Sequence, residues 1–217
     1  MGKTMIIACR SFHHELEAAF DALGFSQPII WLDSGLHNFP EKLRLELQKT
    51  LDGLRDVDRV LLTFGFCGNA VVGLKTGSFE LVLPRADDCI AVFLGSSEAK
   101  RKLERTYFLT KGSLEGERNI WAEYQYAVNK YGIASGKRIF SAMLGNYKYL
   151  GILDTGGYDV ASIHPLTDEI AIALELEKKV IPASFNYITA LLTGPWDASR
   201  FVTIAPQTEI TLASLNA

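Results

Sequence analysis

The sequence predicts an α/β fold, a mainly parallel sheet with helices on both faces that divides into two Rossmann-like lobes. Three observations carry this reading. Short, continuous apolar runs recur along the chain, as in 4–9, 57–64 and 149–154, the composition of strands buried on both faces. Stretches with apolar residues at helical spacing lie between them. Strand–helix alternation of this kind sets successive strands side by side in parallel. The 217 residues read as one α/β domain over 1–217, with lobes at 1–112 and 147–217 joined by a helical segment at 113–146.

Residues 4–9 form the first strand. Ser11 is placed to cap the helix that follows, where Leu16, Ala19, Phe20 and Leu23 share a face and Gly24 ends the helix. Residues 28–32 are the second strand and 33–40 a loop. Pro40 suits the first turn of the next helix, with Glu41 beside it and Asn38 as its cap. Leu43, Leu47, Leu51 and Leu54 repeat at helical spacing on that helix. Residues 57–64 are the third strand, 65–69 a loop and 70–74 a short helix or turn. The fourth strand, 80–83, is stopped by Pro84. Asp87 is placed to cap a helix through Cys89, Ala91, Val92 and Leu94, and Ser96 or Ser97 starts a charged helix over 98–105. A fifth strand covers 107–110, a long helix 113–131 and another 137–146. The sixth strand, 149–154, precedes a helix over 165–178. A strand at 180–183, a short helix at 186–192 and a last strand at 201–205 complete the chain.

Composition excludes several classes. Hydrophobic residues at 48% and charged residues at 22% describe a folded globular chain and not a disordered one. A net charge of −3, with no five-residue basic run, argues against nucleic acid as a partner. No stretch approaches the ~18–20 apolar residues of a membrane span, and the run 5–9 is too short for a signal-peptide core. The expected location is therefore cytoplasmic, without a membrane partner, and a homodimer is compatible with the composition. The glycines of 65–73 have the wrong spacing for a dinucleotide fingerprint. No phosphate-loop Lys, no Gly-x-Ser-x-Gly elbow and no Asp-x-His-x-x-Gly corrinoid signature occurs. These absences disfavour a kinase, a serine hydrolase and an ordinary dehydrogenase.

Three cysteines stand out. Cys9 ends the first strand, Cys67 lies just past the third, and Cys89 follows the fourth near a helix start. In a parallel sheet the carboxyl ends of the strands share one edge, where ligands gather. Three thiols arriving there from distant positions suit an iron–sulfur cluster, or a zinc ion with one open coordination position. A helix N-terminus beside Cys89 favours the thiolate that a metal requires. An odd count argues for thiols or ligands rather than bridges. The competing reading makes Cys9 and Cys89 small core hydrophobes, and no Cys-x-x-Cys spacing favours a metal.

His37, Asp33 and Lys111 are the candidates for acid/base or anion-binding roles, because each sits in a segment that follows a strand. Asp154 also ends a strand, and one of Asp87 and Asp88 is expected to serve as a helix cap. His13 and His14 open the first helix close to Cys9. Adjacent helix residues diverge by about 100°, so one of the two is read as exposed and the pair is not expected to share a ligand.

The segments Ile6-Ile7-Ala8-Cys9, Leu36-His37-Asn38-Phe39-Pro40-Glu41, Phe64-Gly65-Phe66-Cys67-Gly68, Asp88-Cys89, Thr106-Tyr107-Phe108-Leu109-Thr110 and Tyr149-Leu150-Gly151-Ile152-Leu153-Asp154-Thr155 occur in that order. Together with the tail from Leu191-Leu192-Thr193-Gly194-Pro195-Trp196-Asp197 to Phe201-Val202-Thr203-Ile204-Ala205-Pro206, they resemble the DUF1638 family, a domain of unknown function. The family pattern has a Cys after the first strand, a Leu-His-Asn-x-Pro loop, a Tyr-Gly-x-Cys-Gly turn and a His-Cys pair. Cys9, Cys67 and Cys89 fall on its cysteine positions. Phe64 stands where Tyr is frequent and Asp88 where His is frequent, which weakens any role for an imidazole that completes the site. The family resembles neighbours of corrinoid-dependent methyl-transfer systems. The resemblance thus implies an iron–sulfur or zinc protein of one-carbon or methyl metabolism that acts on a small molecule, with a methyltransferase or corrinoid protein as partner. The alternative it implies is a non-enzymatic accessory protein that binds a corrinoid or small ligand, in an apolar pocket lined by Phe64, Phe66, Trp121 and Tyr124.

Overall fold

The computed structural model describes residues 2–216. It is an α/β fold of two largely parallel sheets. The first half of the chain runs β1 (Thr4–Cys9), α1 (His13–Leu23), β2 (Ile29–Leu32), α2 (Pro40–Gly53), β3 (Arg59–Leu62), β4 (Glu80–Pro84), α3 (Cys89–Phe93) and α4 (Ser97–Arg101). It continues through β5 (Thr106–Leu109), α5 (Lys111–Leu114), α6 (Ile120–Tyr131), α7 (Ile133–Met143) and β6 (Tyr149–Asp154). The chain closes with α8 (His164–Leu174), β7 (Glu177–Pro182), α9 (Asn186–Thr193), β8 (Phe201–Ile204) and α10 (Leu212–Asn216). No described helix is long and apolar enough to cross a membrane.

The larger sheet has the order β2-β1-β3-β4-β8. Its first four strands are parallel, and β8 adds antiparallel to β4. In β1, Ile6, Ile7 and Ala8 are wholly buried, because helices cover the strand on each side and nothing polar is tolerated there. On α2, Leu43, Leu47 and Leu51 form one buried stripe, while Leu54 turns extended and ends the helix. Gly24 ends α1 in the left-handed conformation, φ 68°.

The smaller sheet is β5-β6-β7, all parallel. Sheet membership crosses the lobes expected at 1–112 and 147–217. β5 pairs with β6 in the smaller sheet, whereas β8 returns to the larger one. The reason is burial: Ile188 and Leu191 of α9, with Phe201, Val202 and Ile204 of β8, complete the core beneath β1, β3 and β4. The segment 113–146 packs instead on the smaller sheet, where Ile120, Tyr124, Ala127 and Phe140 join Leu150 and Ile152 in a second core.

Several local expectations are corrected. The helix expected over 113–131 is two helices. Thr110 and Ser113 cap α5 reciprocally, and Asn119 restarts the chain as the cap of α6 by accepting from the Trp121 and Ala122 amides. The helix expected over 165–178 stops at Leu174, after which Glu175 adopts a left-handed conformation and β7 begins. Asn38 does not cap α2. It lies in a 3₁₀ turn, Ser34–Asn38, and Phe39 takes the cap position without a side-chain bond. Asp88, not Asp87, caps α3, accepting from the Ala91 amide at 3.1 Å.

Candidate functional site

The strand order creates one topological switch. From β1 the chain crosses to β2 on one side, then returns past β1 to β3 on the other. In such sheets the crevice beyond the carboxyl ends of the two diverging strands is the natural binding place. A cavity of about 810 Å³ opens there, within the size range of small-molecule sites. Cys9 ends β1 and Cys67 follows β3, so the two flank the switch, and Cys89 opens α3 after β4, the next strand. All three line this cavity.

The loops that carry Cys67 and Cys89 are bound edge to edge. The Phe66 amide donates to the Ala86 carbonyl at 2.7 Å, and the Cys67 amide to the Asp87 carbonyl at 2.8 Å. Gly65 permits this, since a Cβ there would lie 2.6 Å from the Ala86 carbonyl oxygen and 2.8 Å from the Asp88 backbone. Cys67 itself has a left-handed backbone, φ 46°, a conformation that a non-glycine residue holds only where its surroundings enforce it. Cys9 receives a hydrogen bond from the Ser11 hydroxyl at 3.1 Å.

Burial decides the protonation of the three sulfurs. It raises the Cys9 thiol, and it pushes Cys67 up to about 12. Cys89 is driven well above its ordinary value, first by burial and then by the charges of Cys67 and Cys9. The expectation that a helix N-terminus would favour the Cys89 thiolate is thus reversed, because α3 has one turn and the sulfur is desolvated. Cys67 senses the charge of Cys9, and Cys89 senses both. Lys100 opposes the rise at Cys67 and Cys89, and Asp88 adds to it. Lys100 is held by an ion pair to Asp88.

The other candidates divide. Asp33 and His37 line the cavity; Lys111 does not. Asp33 accepts from the Gly35 amide at 2.7 Å and caps the 3₁₀ turn. His37 uses Nδ1 toward the Ser34 carbonyl, which leaves Nε2 as the nitrogen open to a ligand. Lys111 opens α5, away from the cavity lining. Asp154 ends β6 outside the lining, and Asp88 is engaged by α3 and Lys100. Of the four aromatic residues expected around an apolar pocket, only Phe64 lines the cavity. Trp121 stacks on Tyr124, and Tyr124 packs against Phe140 in the second core.

Sequence reasoning missed Ser11 as a cavity residue, and also Lys100 and Arg118, which line the same cavity. Ser11 is two residues past Cys9, a usable signal. Lys100 and Arg118 lie in polar segments with no local mark. A buried bridge was missed as well. Glu15 of α1 is fully buried, and its Oε1 accepts from the Thr155 hydroxyl at 2.8 Å, joining the first core to the loop after β6. Its Oε2 has no partner, and burial pushes the carboxyl up to about 7.

The family model described as "Protein of unknown function (DUF1638)" matches residues 31–192, a span that includes His37, Cys67 and Cys89. No curated protein and no solved structure matches. With the match extending over most of the chain, the protein belongs to the DUF1638 family.

Proposed function

We propose that the protein is a metal-binding α/β protein in which Cys9, Cys67 and Cys89 hold an iron–sulfur cluster at the wall of the switch-point cavity, and that the cavity takes a small molecule. The observation that carries this reading is the arrival of three thiols, beyond the ends of three adjacent parallel strands, at one cavity.

The donor set fits a cluster better than a single ion. A tetrahedral zinc ion would draw its sulfurs to within about 4 Å of each other. Among the described residues the three sulfurs do not all lie within 4.8 Å of one another. A cluster spreads its cysteines over separate irons, and three cysteines leave one iron free. A zinc ion with an open position is the second reading, and it requires the three sulfurs to draw closer together.

The chain's own residues supply the rest. Lys100 is the cation that favours ionised sulfur at Cys67 and Cys89. The Ser11 hydroxyl bonds the Cys9 sulfur and steadies its charge. His37 presents Nε2 toward cavity chemistry as a proton donor or acceptor. Arg118 offers a cation for an anionic substrate group. A cluster with an open iron supplies Lewis-acid or electron-transfer chemistry when bound. A role in one-carbon or methyl metabolism, with a methyltransferase or corrinoid protein as partner, is the setting that the family resemblance suggests.

The test is anaerobic purification followed by an ultraviolet–visible spectrum and measurement of iron, sulfide and zinc per chain. Iron with sulfide, lost in Cys67→Ser, supports the cluster; zinc alone, lost in the same variant, supports the second reading. A metal-free protein, or a Cys67→Ser variant with wild-type metal content, overturns both.

A further inference from the structure

We propose that His13, His14 and Glu17 form a second site, for a divalent transition metal, on the first turn of α1, with Glu115 as a fourth donor. It is separate from the cysteines and does not depend on them.

The two imidazoles were expected to diverge. Their rings come together all the same: His13 has an ordinary helical backbone, φ −54° and ψ −54°, so it is the side chains and not the helix start that close the gap. Their rings meet edge to face with centroids 5.1 Å apart. One donor atom from each of His13, His14 and Glu17 falls within 4.8 Å of the others, the one such group among the described residues. His13 Nε2 lies 3.2 Å from a Glu17 carboxylate oxygen, and His14 Nε2 lies 2.9 Å from Glu115 Oε2. Two imidazole nitrogens and the Glu17 oxygen within this reach are a donor set for zinc, and for cobalt and nickel, with Glu115, paired to His14, as the carboxylate that would close on the ion.

Each ring is also oriented from behind. Trp31 packs against His13 with centroids 5.6 Å apart, and Tyr158 against His14 at 5.9 Å. Glu17 and Glu115 are exposed and His13 is only partly covered, so an ion reaches the site from solvent. The ligands span two regions of the chain. Glu115 follows α5, and the neighbouring Ser113 and Arg118 line the cavity. A metal here would fasten that wall of the cavity to α1.

Zinc and cobalt(II) binding to the full chain would test this. Cobalt at the cysteines produces intense thiolate charge transfer in the near ultraviolet; cobalt at imidazole and carboxylate produces only weak visible bands. The expected result is a cobalt spectrum with a component free of charge transfer, quenching of Trp31 fluorescence that vanishes in Trp31→Phe, and zinc affinity lowered at least about tenfold in His14→Ala. Glu17→Gln, a milder change at an exposed position, should weaken zinc binding with the circular dichroism spectrum unaltered. Iron and sulfide at the cysteines should be the same in all these variants. Equal zinc affinity in wild type, His14→Ala and Glu17→Gln would overturn the site, whatever the cysteines hold.

Discussion

Replacing Gly65 with alanine tests how the cysteine loops are held together. The new methyl group would sit 2.6 Å from the Ala86 carbonyl oxygen and 2.8 Å from the Asp88 nitrogen and Cα, all of them backbone atoms. Ordinary contact begins at 3.4 Å, so the two loops must part by about 3.4 − 2.6 = 0.8 Å. The Phe66–Ala86 and Cys67–Asp87 hydrogen bonds, now 2.7 and 2.8 Å, would stretch beyond the useful range. Two lost backbone bonds at about 1 kcal/mol each, with some residual strain, destabilise the fold by about 2–3 kcal/mol. For a chain of this size that lowers the Tm by about 4–12 °C. The opening also draws Cys67 away from Cys89, so metal per chain should fall together with the Tm. The assay is thermal unfolding by circular dichroism, with iron and zinc analysis of the same samples. Gly53→Ala is the control: its Cβ would meet nothing within 4 Å, and its Tm should hold or rise slightly. A Gly65→Ala protein with the Tm and metal content of wild type would refute the view that this close approach assembles the site.

Two further predictions concern stability. Glu15 has its carboxyl raised from 4.5 to about 7 by burial, so the folded state holds a proton that the unfolded state has already released. That contribution is complete below about pH 4.5 and is lost as pH rises through about 7, amounting to about 3 kcal/mol at most. Urea midpoints measured with a chelator present should fall with pH across this window in wild type and stay flatter in Glu15→Gln; identical profiles would show that the carboxyl is ionised when folded. Leu47 is fully buried on α2, and Leu47→Ala should cost about 2–5 kcal/mol by lost transfer energy and a cavity, read as a lower urea midpoint with an unchanged m-value.

What the sequence made legible follows from how locally each feature is determined. β1 was readable to the residue because an apolar run between polar neighbours has few alternatives. The stripe on α2 was readable because helical periodicity is a property of the chain itself. The pairing of β5 with β6 and the return of β8 to β4 were not, since a strand carries no mark of which distant edge it will join. The break between α5 and α6 did leave a mark in Gly116 and Asn119, and a closer reading of turn chemistry would have found it.

The site divides along the same line. That Cys9, Cys67 and Cys89 should lie along one edge was legible because a parallel sheet sends all its carboxyl ends there, whatever the strand order, and all three do line one cavity. Their protonation was not, because one helical turn near Cys89 argues for the thiolate while desolvation argues against it, and the balance between them depends on the packing around the sulfur. The histidines make the complementary case. The local rule that adjacent helix residues diverge describes their Cβ directions, but it does not fix where the imidazoles end: the two rings meet edge to face, and the carboxylate paired with His14 comes from Glu115, on a distant segment. Side chains from distant segments are therefore seen to converge in sequence only where topology forces them together. Where a turn and a distant carboxylate bring them together, the structure has to come first.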